Sequence, residues 1–328
     1  MALGAWERSL AEMLQVAWPP VNPSHVSLLA PAGVELAQPV KWLDQLTPAT
    51  NNVRVPNVSL STGISMFYQT VGEGEPIVLI MGTGADHTPW DATAQAYAAN
   101  FRVITFDQRG TGRTDRPEDP GSYSARGMAD DVAALLDCLG VGVCHVSGMS
   151  LGSAIAQELA INHPDKVASL QLHCTWGRTD DWLRRVFESL QYLLERPTLD
   201  AYFHTDNVWI YSADFLNRDP RAMAAEEAQF LRDPYAPTHV TLRGHLHADL
   251  MHDSLDRLHN IKVPTLITSG EMDWQVPTRY GRAVHQEIAG SRLHVFQGSR
   301  SSHNAFFELA PEFNELTLRF LADTAPRI

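Results

Sequence analysis

The chain has 328 residues, of which 44% are hydrophobic and 19% are charged, and this is enough to bury one large core. Its formal net charge of −13 repels phosphate backbones and anionic membrane surfaces, so we expect neither nucleic acid nor a membrane as a partner. The apolar run Ile77–Met81 has five residues, whereas about 20 are needed to span a bilayer. Charged Glu7, Arg8 and Glu12 interrupt the apolar residues of the first 20 positions, whereas a secretory signal has a continuous apolar stretch. We therefore expect a cytoplasmic protein.

Residues 1–50 are predicted to form an arm outside the main domain. Five apolar residues recur at helical spacing and predict a short amphipathic helix; they are Trp6, Leu10, Met13, Leu14 and Ala17. The prolines that follow prevent long helices and favour an extended path; they are Pro19, Pro20, Pro23, Pro31, Pro39 and Pro48. The apolar stripe must be covered by the body of the chain, which we favour, or by a second subunit in a homodimer.

From residue 51 onward, strand-like and helix-like patterns alternate, which is typical of a mostly parallel sheet with helices on both faces. Six segments are predicted as strands: Ile77–Met81, Phe101–Phe106, Val143–Val146, Val167–Leu172, Pro264–Thr268 and Leu293–Phe296. Met128–Leu139 and Gly152–His163 have helical periodicity. The aromatic, helix-prone residues 176–260 interrupt the alternation. We therefore predict an α/β core of residues 51–175 and 261–328 with an inserted helical lid over residues 176–260.

The cysteines give no sign of a disulfide framework or of a metal site. Cys138, Cys144 and Cys174 are odd in number and lack Cys-x-x-Cys spacing, and we interpret them as buried small hydrophobic residues. Gly82 and Gly84 follow an apolar run as in a dinucleotide-binding loop, but His87 stands where the third glycine would be. We therefore expect neither a metal nor a cofactor.

The segment Gly148-Met149-Ser150-Leu151-Gly152 lies between a predicted strand and a predicted helix. In this position a G-x-S-x-G sequence forms a sharp turn that projects the serine hydroxyl above the strand end. The N-terminus of the next helix points at the serine, so the N–H of Leu151 is a candidate donor to the oxyanion of a tetrahedral intermediate. Ser150 is the candidate nucleophile, although a turn without catalytic function also fits this motif taken alone.

A serine nucleophile needs a base, and the base needs an acid that orients it. His303 lies in a small, polar loop between the last predicted strand and the C-terminal helix, and it is the candidate base. Asp273 lies in the loop that leaves the strand Pro264–Thr268, and it is the candidate acid. Glu271 shares this loop and is the alternative acid, but we favour the shorter Asp273.

The segment Asp107-Gln108-Arg109-Gly110-Thr111-Gly112-Arg113-Thr114 resembles the D-x-R-G-x-G-x-[ST] stretch of lid-bearing α/β-hydrolases, and the serine, acid and histidine loops agree with it. The resemblance covers about residues 52–322 and is greatest to small-molecule esterases and lactonases, such as enol-lactonases and aclacinomycin methylesterase. It implies an α/β-hydrolase fold and cleavage of a carboxylic ester or lactone through an acyl-enzyme. Ser150 argues against dehalogenases and epoxide hydrolases, which use an aspartate nucleophile.

The resemblance also implies a second oxyanion donor. The family commonly has a His-Gly-x sequence after the first motif strand, and this chain has Met81-Gly82-Thr83. Because the implied donor is the backbone N–H of Thr83, the change to methionine need not remove it, although it alters the expected shape of the loop.

The predicted lid contains nine closely spaced aromatic residues, which indicate either a bulky, mostly apolar substrate or the core of the lid itself. They are Trp176, Trp182, Phe187, Tyr192, Tyr202, Phe203, Trp209, Tyr211 and Phe215.

The segment His245-Leu246-His247-Ala248-Asp249 resembles the start of an H-x-H-x-D-H metal signature, but Leu250 replaces the final histidine. If the segment is helical, His245, Asp249 and His252 share one face, where hydrogen bonding is favoured over metal binding.

Two alternatives to ester or lactone cleavage remain open on this scaffold. One is non-ester chemistry, namely carbon–carbon bond hydrolysis or perhydrolysis, and the other is a small-molecule receptor that retains the triad.

Overall fold

A computed structural model describes residues 57–324, which contain one sheet of eight strands. The strands are β1 (Asn57–Ser59), β2 (Ser65–Val71), β3 (Glu75–Ile80), β4 (Phe101–Phe106), β5 (Cys144–Met149), β6 (Val167–His173), β7 (Thr265–Gly270) and β8 (Arg292–Phe296). The arm predicted for residues 1–50, its helix and its use in a homodimer lie outside the described residues.

The strand order in the sheet is β1-β2-β4-β3-β5-β6-β7-β8. Strand β2 pairs antiparallel with β1 and β4, and all other neighbours are parallel. The predicted mostly parallel sheet is therefore confirmed. Parallel strands end at the same edge of a sheet, so the loops after β3, β5, β7 and β8 lie together at one edge.

Helices connect the strands and flank the sheet. They are α1 (Asp91–Tyr97), α2 (Ala125–Cys138), α3 (Leu151–Asn162), α4 (Asp181–Leu193), α5 (Asp200–Ile210), α6 (Ala213–Arg218), α7 (Pro220–Phe230), α8 (His239–Met251), α9 (Thr278–Glu287), α10 (Ala305–Glu308) and α11 (Ala310–Thr324). Helices α4 to α8 follow one another between β6 and β7, and we call them the helical insert. None of the helices described is long and apolar enough to cross a membrane.

The central strands β3 to β7 are buried on both faces of the sheet. Successive side chains of β3 alternate between two apolar clusters: Val78 and Ile80 pack with α2 and α3, whereas Ile77 and Leu79 pack with α1 and α11. This alternation follows from the two-residue period of a strand, and it explains why β3 reads as a continuous apolar run. The predicted helices on both faces are confirmed.

The segment Asp107–Thr114 follows β4, and buried polar contacts hold it in place. The two oxygens of Asp107 accept hydrogen bonds from the backbone N–H groups of His87 (3.1 Å) and Arg113 (2.8 Å), and the His87 ring lies 2.5 Å away. Arg109 forms two bonds with Asp131, of 2.6 and 2.7 Å. Burial alone would lower the pKa of His87, but the contact with Asp107 raises it above its ordinary value. This segment therefore joins the loop after β4 to the loop after β3.

The sequence patterns predict the central strands of the sheet but not the two strands at one of its edges. Strands β1 and β2 were not among the predicted strands, because β1 has three residues and β2 mixes buried with exposed positions. Strand β5 runs to Met149, three residues beyond the predicted Val146, and leads directly into Ser150. The interpretation of Cys138 as buried is wrong: it lies exposed in the last turn of α2, whereas Cys144 and Cys174 are buried.

We expect Leu79→Ala to lower the free energy of unfolding by about 2–5 kcal/mol, because Leu79 is fully buried and truncation leaves a cavity. Urea unfolding would measure this as a lower midpoint with an unchanged slope. Leu231→Ala is the matched control, since Leu231 is 37% exposed and its truncation should cost less than about 0.5 kcal/mol. Equal losses in the two variants would contradict the assignment of Leu79 to the core.

Candidate active site

Ser150 lies between the end of β5 and the first residue of α3, in a strained backbone conformation. Its φ of 53° and ψ of −121° are sparsely populated for a residue with a side chain, at a cost of about 1–3 kcal/mol. The turn is held from both sides. The N–H of Ser150 donates to the carbonyl oxygen of His173 at 3.0 Å, and its own carbonyl oxygen accepts from the hydroxyl of Ser153 at 2.6 Å.

The glycines next to Ser150 allow backbone segments to approach one another closely. A Cβ at Gly152 would collide with the carbonyl oxygens of Ile80 and Met81. A Cβ at Gly82 would lie 3.1 Å from the Cβ of Ser150 and 3.7 Å from its hydroxyl oxygen. The register of the sheet produces this contact, because Ile80 of β3 pairs with Gly148 of β5. The loop after β3 therefore lies against the candidate nucleophile.

His303 and Asp273 form a buried pair at the same edge of the sheet. The imidazole Nδ1 donates to the carboxylate Oδ2 of Asp273 at 2.9 Å, and the other oxygen of Asp273 accepts from the N–H of Val276 at 2.8 Å. Glu271 is exposed and accepts from the N–H of Gly298 at 3.3 Å. The structure thus brings His303 together with Asp273 rather than with Glu271. The hydrogen bonds of residues 57–324 do not include one between Ser150 and His303, a bond that often tightens only when substrate is bound.

The two predicted oxyanion donors flank Ser150. Thr83 follows Gly82 in the loop that touches the serine, and Leu151 is the first residue of α3. The first N–H groups of a helix have no partner within it, so the N–H of Leu151 is free to point at a ligand. Met81, which replaces the family's histidine, is buried in the apolar cluster of α1 and α11. The substitution therefore adds to the packing beneath the loop.

Two side chains hold the loop of Thr83 in place. The amide of Gln108 donates to the carbonyl oxygen of Met81. The ring of His245 accepts from the N–H of Gly84 at 3.1 Å through Nδ1, and it donates from Nε2 to the carbonyl oxygen of Arg109 at 2.8 Å. Burial lowers the pKa of His245 to about 4, so the ring is neutral and can make both bonds. His245 thereby links helix α8 to two loops of the core.

Two carboxyl groups of the helical insert lie beside these residues. The Oδ2 atom of Asp249 accepts from the hydroxyl of Thr83 at 2.7 Å. Burial, reinforced by the charge of Asp206, raises the pKa of Asp249 to about 8. Burial also raises the pKa of Asp206 to about 6, although nearby His303 and a 3.3 Å contact with the amide of Gln275 oppose the shift. Asp249 therefore contacts Thr83 directly, and Asp206 lies close enough to interact electrostatically with Asp249 and His303.

The thiol of Cys174 lies beside the His303–Asp273 pair. Its sulfur lies 3.1 Å from the carbonyl oxygen of His303, and the Cys174 sulfur, an oxygen of Asp273 and a ring nitrogen of His303 lie within 4.8 Å of one another. Burial, together with the charge of Asp273, raises the pKa of the Cys174 thiol well above its ordinary value. The thiol is therefore neutral and acts as a small polar contact.

The aromatic residues of the predicted lid, residues 176–260, divide between the apolar core of the protein and its surface. Trp176, Phe187 and Tyr202 are buried in the main apolar cluster, whereas Trp182 and Tyr192 are exposed. These five residues thus do not form one continuous pocket wall.

Gln108, His245 and Asp249 were not among the predicted site residues. The metal-like spacing of His245 and Asp249 was the available signal: these residues are one turn apart on α8 and both point at the loop after β3. His252, the third residue of that face, lies instead 3.4 Å from the amide oxygen of Gln157.

Comparison with known proteins identifies the family. The model of the alpha/beta hydrolase fold family matches residues 75–309. The chain therefore belongs to the α/β-hydrolase family, and the predicted resemblance is confirmed. It is a hydrolase of this fold.

Particular relatives add detail. A protein named "Putative carbamate hydrolase RutD" from Azorhizobium caulinodans is 33% identical over 260 residues, which cover 79% of this chain and 95% of that protein. A hydrolase from Pseudomonas aeruginosa PA01 superposes with a TM-score of 0.74 at 26% identity, covering 83% of this chain and 99% of its own. The enol-lactonase from Burkholderia xenovorans LB400 has a TM-score of 0.72 at 25% identity, covering 81% and 100%.

We expect His245→Leu to lower the free energy of unfolding by about 2 kcal/mol or more, because it leaves the N–H of Gly84 and the carbonyl of Arg109 buried without partners. Urea unfolding measures the loss. His247→Leu is the control on the same helix, and its effect should stay below about 0.5 kcal/mol, since His247 is only partly buried. If the two variants were equally stable, the bracing function of His245 would be refuted.

Proposed function

We propose that the chain is a serine hydrolase that cleaves a carboxylic ester or lactone through an acyl-enzyme, with Ser150, His303 and Asp273 as its triad. The observation that carries the proposal is the strained turn of Ser150, which lies against the loop of Thr83 at the same sheet edge as the His303–Asp273 pair. The relatives named as hydrolases and as an enol-lactonase support the same class of reaction.

The reaction begins when the Nε2 atom of His303 takes the proton of the Ser150 hydroxyl, and the serine oxygen attacks the carbonyl carbon. Asp273 accepts the Nδ1 proton in its hydrogen bond, so it fixes the tautomer of His303 and stabilises the charged ring. The N–H groups of Thr83 and Leu151 donate to the oxyanion, where each such donor contributes about 10² to 10³ in rate. His303 then protonates the leaving alcohol, and water releases the acid by the same steps.

The identity of the substrate is a separate question from the type of reaction. A bulky, mostly apolar substrate stays a prediction, because several of the aromatic residues that suggested it are buried in the apolar core. The relative named as a carbamate hydrolase adds carbamates to the candidates, since a carbamate carbonyl takes the same serine attack. The action of the helical insert as a lid and a location in the cytoplasm also stay predictions.

We expect Ser150→Ala to abolish both hydrolysis of p-nitrophenyl butyrate and covalent labelling by a fluorophosphonate, because both need the serine oxygen. Absorbance of released nitrophenolate and intact-protein mass measure the two effects. Wild-type protein should turn over and gain one label. A folded wild-type protein that does neither would refute the serine hydrolase and favour a receptor.

We expect Asp273→Asn to lower kcat by about 10⁴, because the amide no longer holds His303 in the reactive tautomer. Glu271→Gln is the matched control, since it removes a carboxylate from the same loop that does not contact His303. The rates on p-nitrophenyl butyrate compare the two variants. A loss of kcat of less than tenfold in Asp273→Asn, or a loss in Glu271→Gln larger than that in Asp273→Asn, would show that Asp273 is not the acid of the triad.

A further inference from the structure

Asp249 has one oxygen that the folded chain leaves without a partner. The residue is 1% exposed, and its Oδ2 atom accepts from Thr83, but its Oδ1 atom is buried and makes no hydrogen bond to any group of residues 57–324. Buried polar atoms of native proteins are nearly always paired, so an unpaired one at a candidate active site points to a ligand.

The position of Asp249 places that ligand close to the reaction centre. Its side chain contacts Thr83, whose backbone N–H is the proposed donor to the carbonyl oxygen of the substrate. His245, one turn earlier on α8, fixes Gly84 of the same loop, so the helix cannot shift without moving the donor. A substrate whose carbonyl oxygen lies at Thr83 therefore has its acyl group, a few bonds from the carbonyl, beside Asp249.

The carboxyl groups at this position favour a cationic ligand. At neutral pH Asp206, with a pKa of about 6, carries the negative charge, and Asp249, with a pKa of about 8, releases its proton to solvent when a cation binds beside it. Asp206 lies close enough to raise the pKa of Asp249. Burial raises the pKa of Tyr202, and both carboxyl groups raise it further. Within residues 57–324, the side chains that oppose the raised pKa of Asp206 are His303 and Gln275, and no lysine or arginine offsets either carboxyl. A positively charged hydrogen-bond donor would supply both the missing partner and the missing charge.

We propose that Asp249 and Asp206 bind a protonated amino group on the acyl part of the substrate, a few bonds from the carbonyl that Ser150 attacks. This inference rests on the proposed function, because it uses the same site and names the substrate class. Asp249 accepts one ammonium hydrogen through Oδ1, and Asp206 contributes the second negative charge. The substrates are thus esters or lactones whose acyl group carries an amine beyond the α-carbon.

The kinetic test compares two esters of the same shape, p-nitrophenyl β-alaninate and p-nitrophenyl butyrate. The β-alaninate ester carries an ammonium group where the butyrate ester carries its terminal methyl group. We expect wild-type kcat/KM to favour the amino ester by about tenfold or more, since a hydrogen bond to a charged group is among the stronger ones. Asp249→Asn and Asp206→Asn should each lower this preference by about tenfold. Asp256→Asn, which removes the same charge from an exposed carboxyl, should leave the preference unchanged.

A ratio near one in wild type, or a ratio in both Asp249→Asn and Asp206→Asn equal to that of wild type, would overturn the inference. Two variants are needed because Asp249 is buried and its replacement could impair folding, whereas Asp206 is only partly buried. If Ser150-dependent hydrolysis of p-nitrophenyl butyrate is observed without a preference for the amino ester, the proposed function stands and only the amine site is refuted.

Binding provides a readout that does not depend on turnover. Isothermal titration of Ser150→Ala with β-alaninamide and with butyramide compares the same two groups without an ester. Tighter binding of β-alaninamide, lost in Ser150→Ala combined with Asp249→Asn, supports the amine site even if neither ester is hydrolysed and the proposed function fails. Equal affinities for the two amides would overturn the amine site.

Discussion

The site depends on a backbone conformation that Ser150 would not adopt in isolation. Its positive φ forces the chain to reverse between β5 and α3, which raises the hydroxyl above the strand end and exposes the first N–H groups of the helix. The free energy for this strain comes from the surroundings: β5 lies in the middle of a sheet buried on both faces, and α3 packs on one of them. A weakly packed edge strand could not hold such a turn.

The same edge collects the other components because parallel strands end together. The loop of Thr83 follows β3, Asp273 follows β7, and His303 follows β8. Each component is then fixed by its own contact: His303 by the carboxylate of Asp273, and the Thr83 loop by Gln108 and His245. The fold thus sets the approximate positions, and buried hydrogen bonds set the final geometry.

The central strands and the triad could be predicted from the sequence because their signals are local. A continuous apolar run marks β3, mostly apolar residues mark β4, and the glycines around Ser150 mark the turn. Asp273 could be preferred over Glu271 only by length and position, and the structure distinguishes them by the His303 contact. Local pattern could not predict Asp249 or His245 at the site, because these residues reach it from α8, more than 150 positions after the loop that they contact. Strands β1 and β2 escaped prediction for a related reason: they pair at the sheet edge, where burial on one side leaves a weak pattern.

The contacts of α8 also determine how the helical insert can vary. Helices α5 to α7 can change length or sequence while the loop of Thr83 keeps its place, because the contacts that fix this loop come from α8 and from Gln108. Helix α8 does not have this freedom, since His245 and Asp249 hold Gly84 and Thr83. A chimera that exchanges the whole insert with that of a relative would therefore replace the contacts that fix the loop of Thr83, whereas one that exchanges only residues 213–230 would leave these contacts and Asp206 in place.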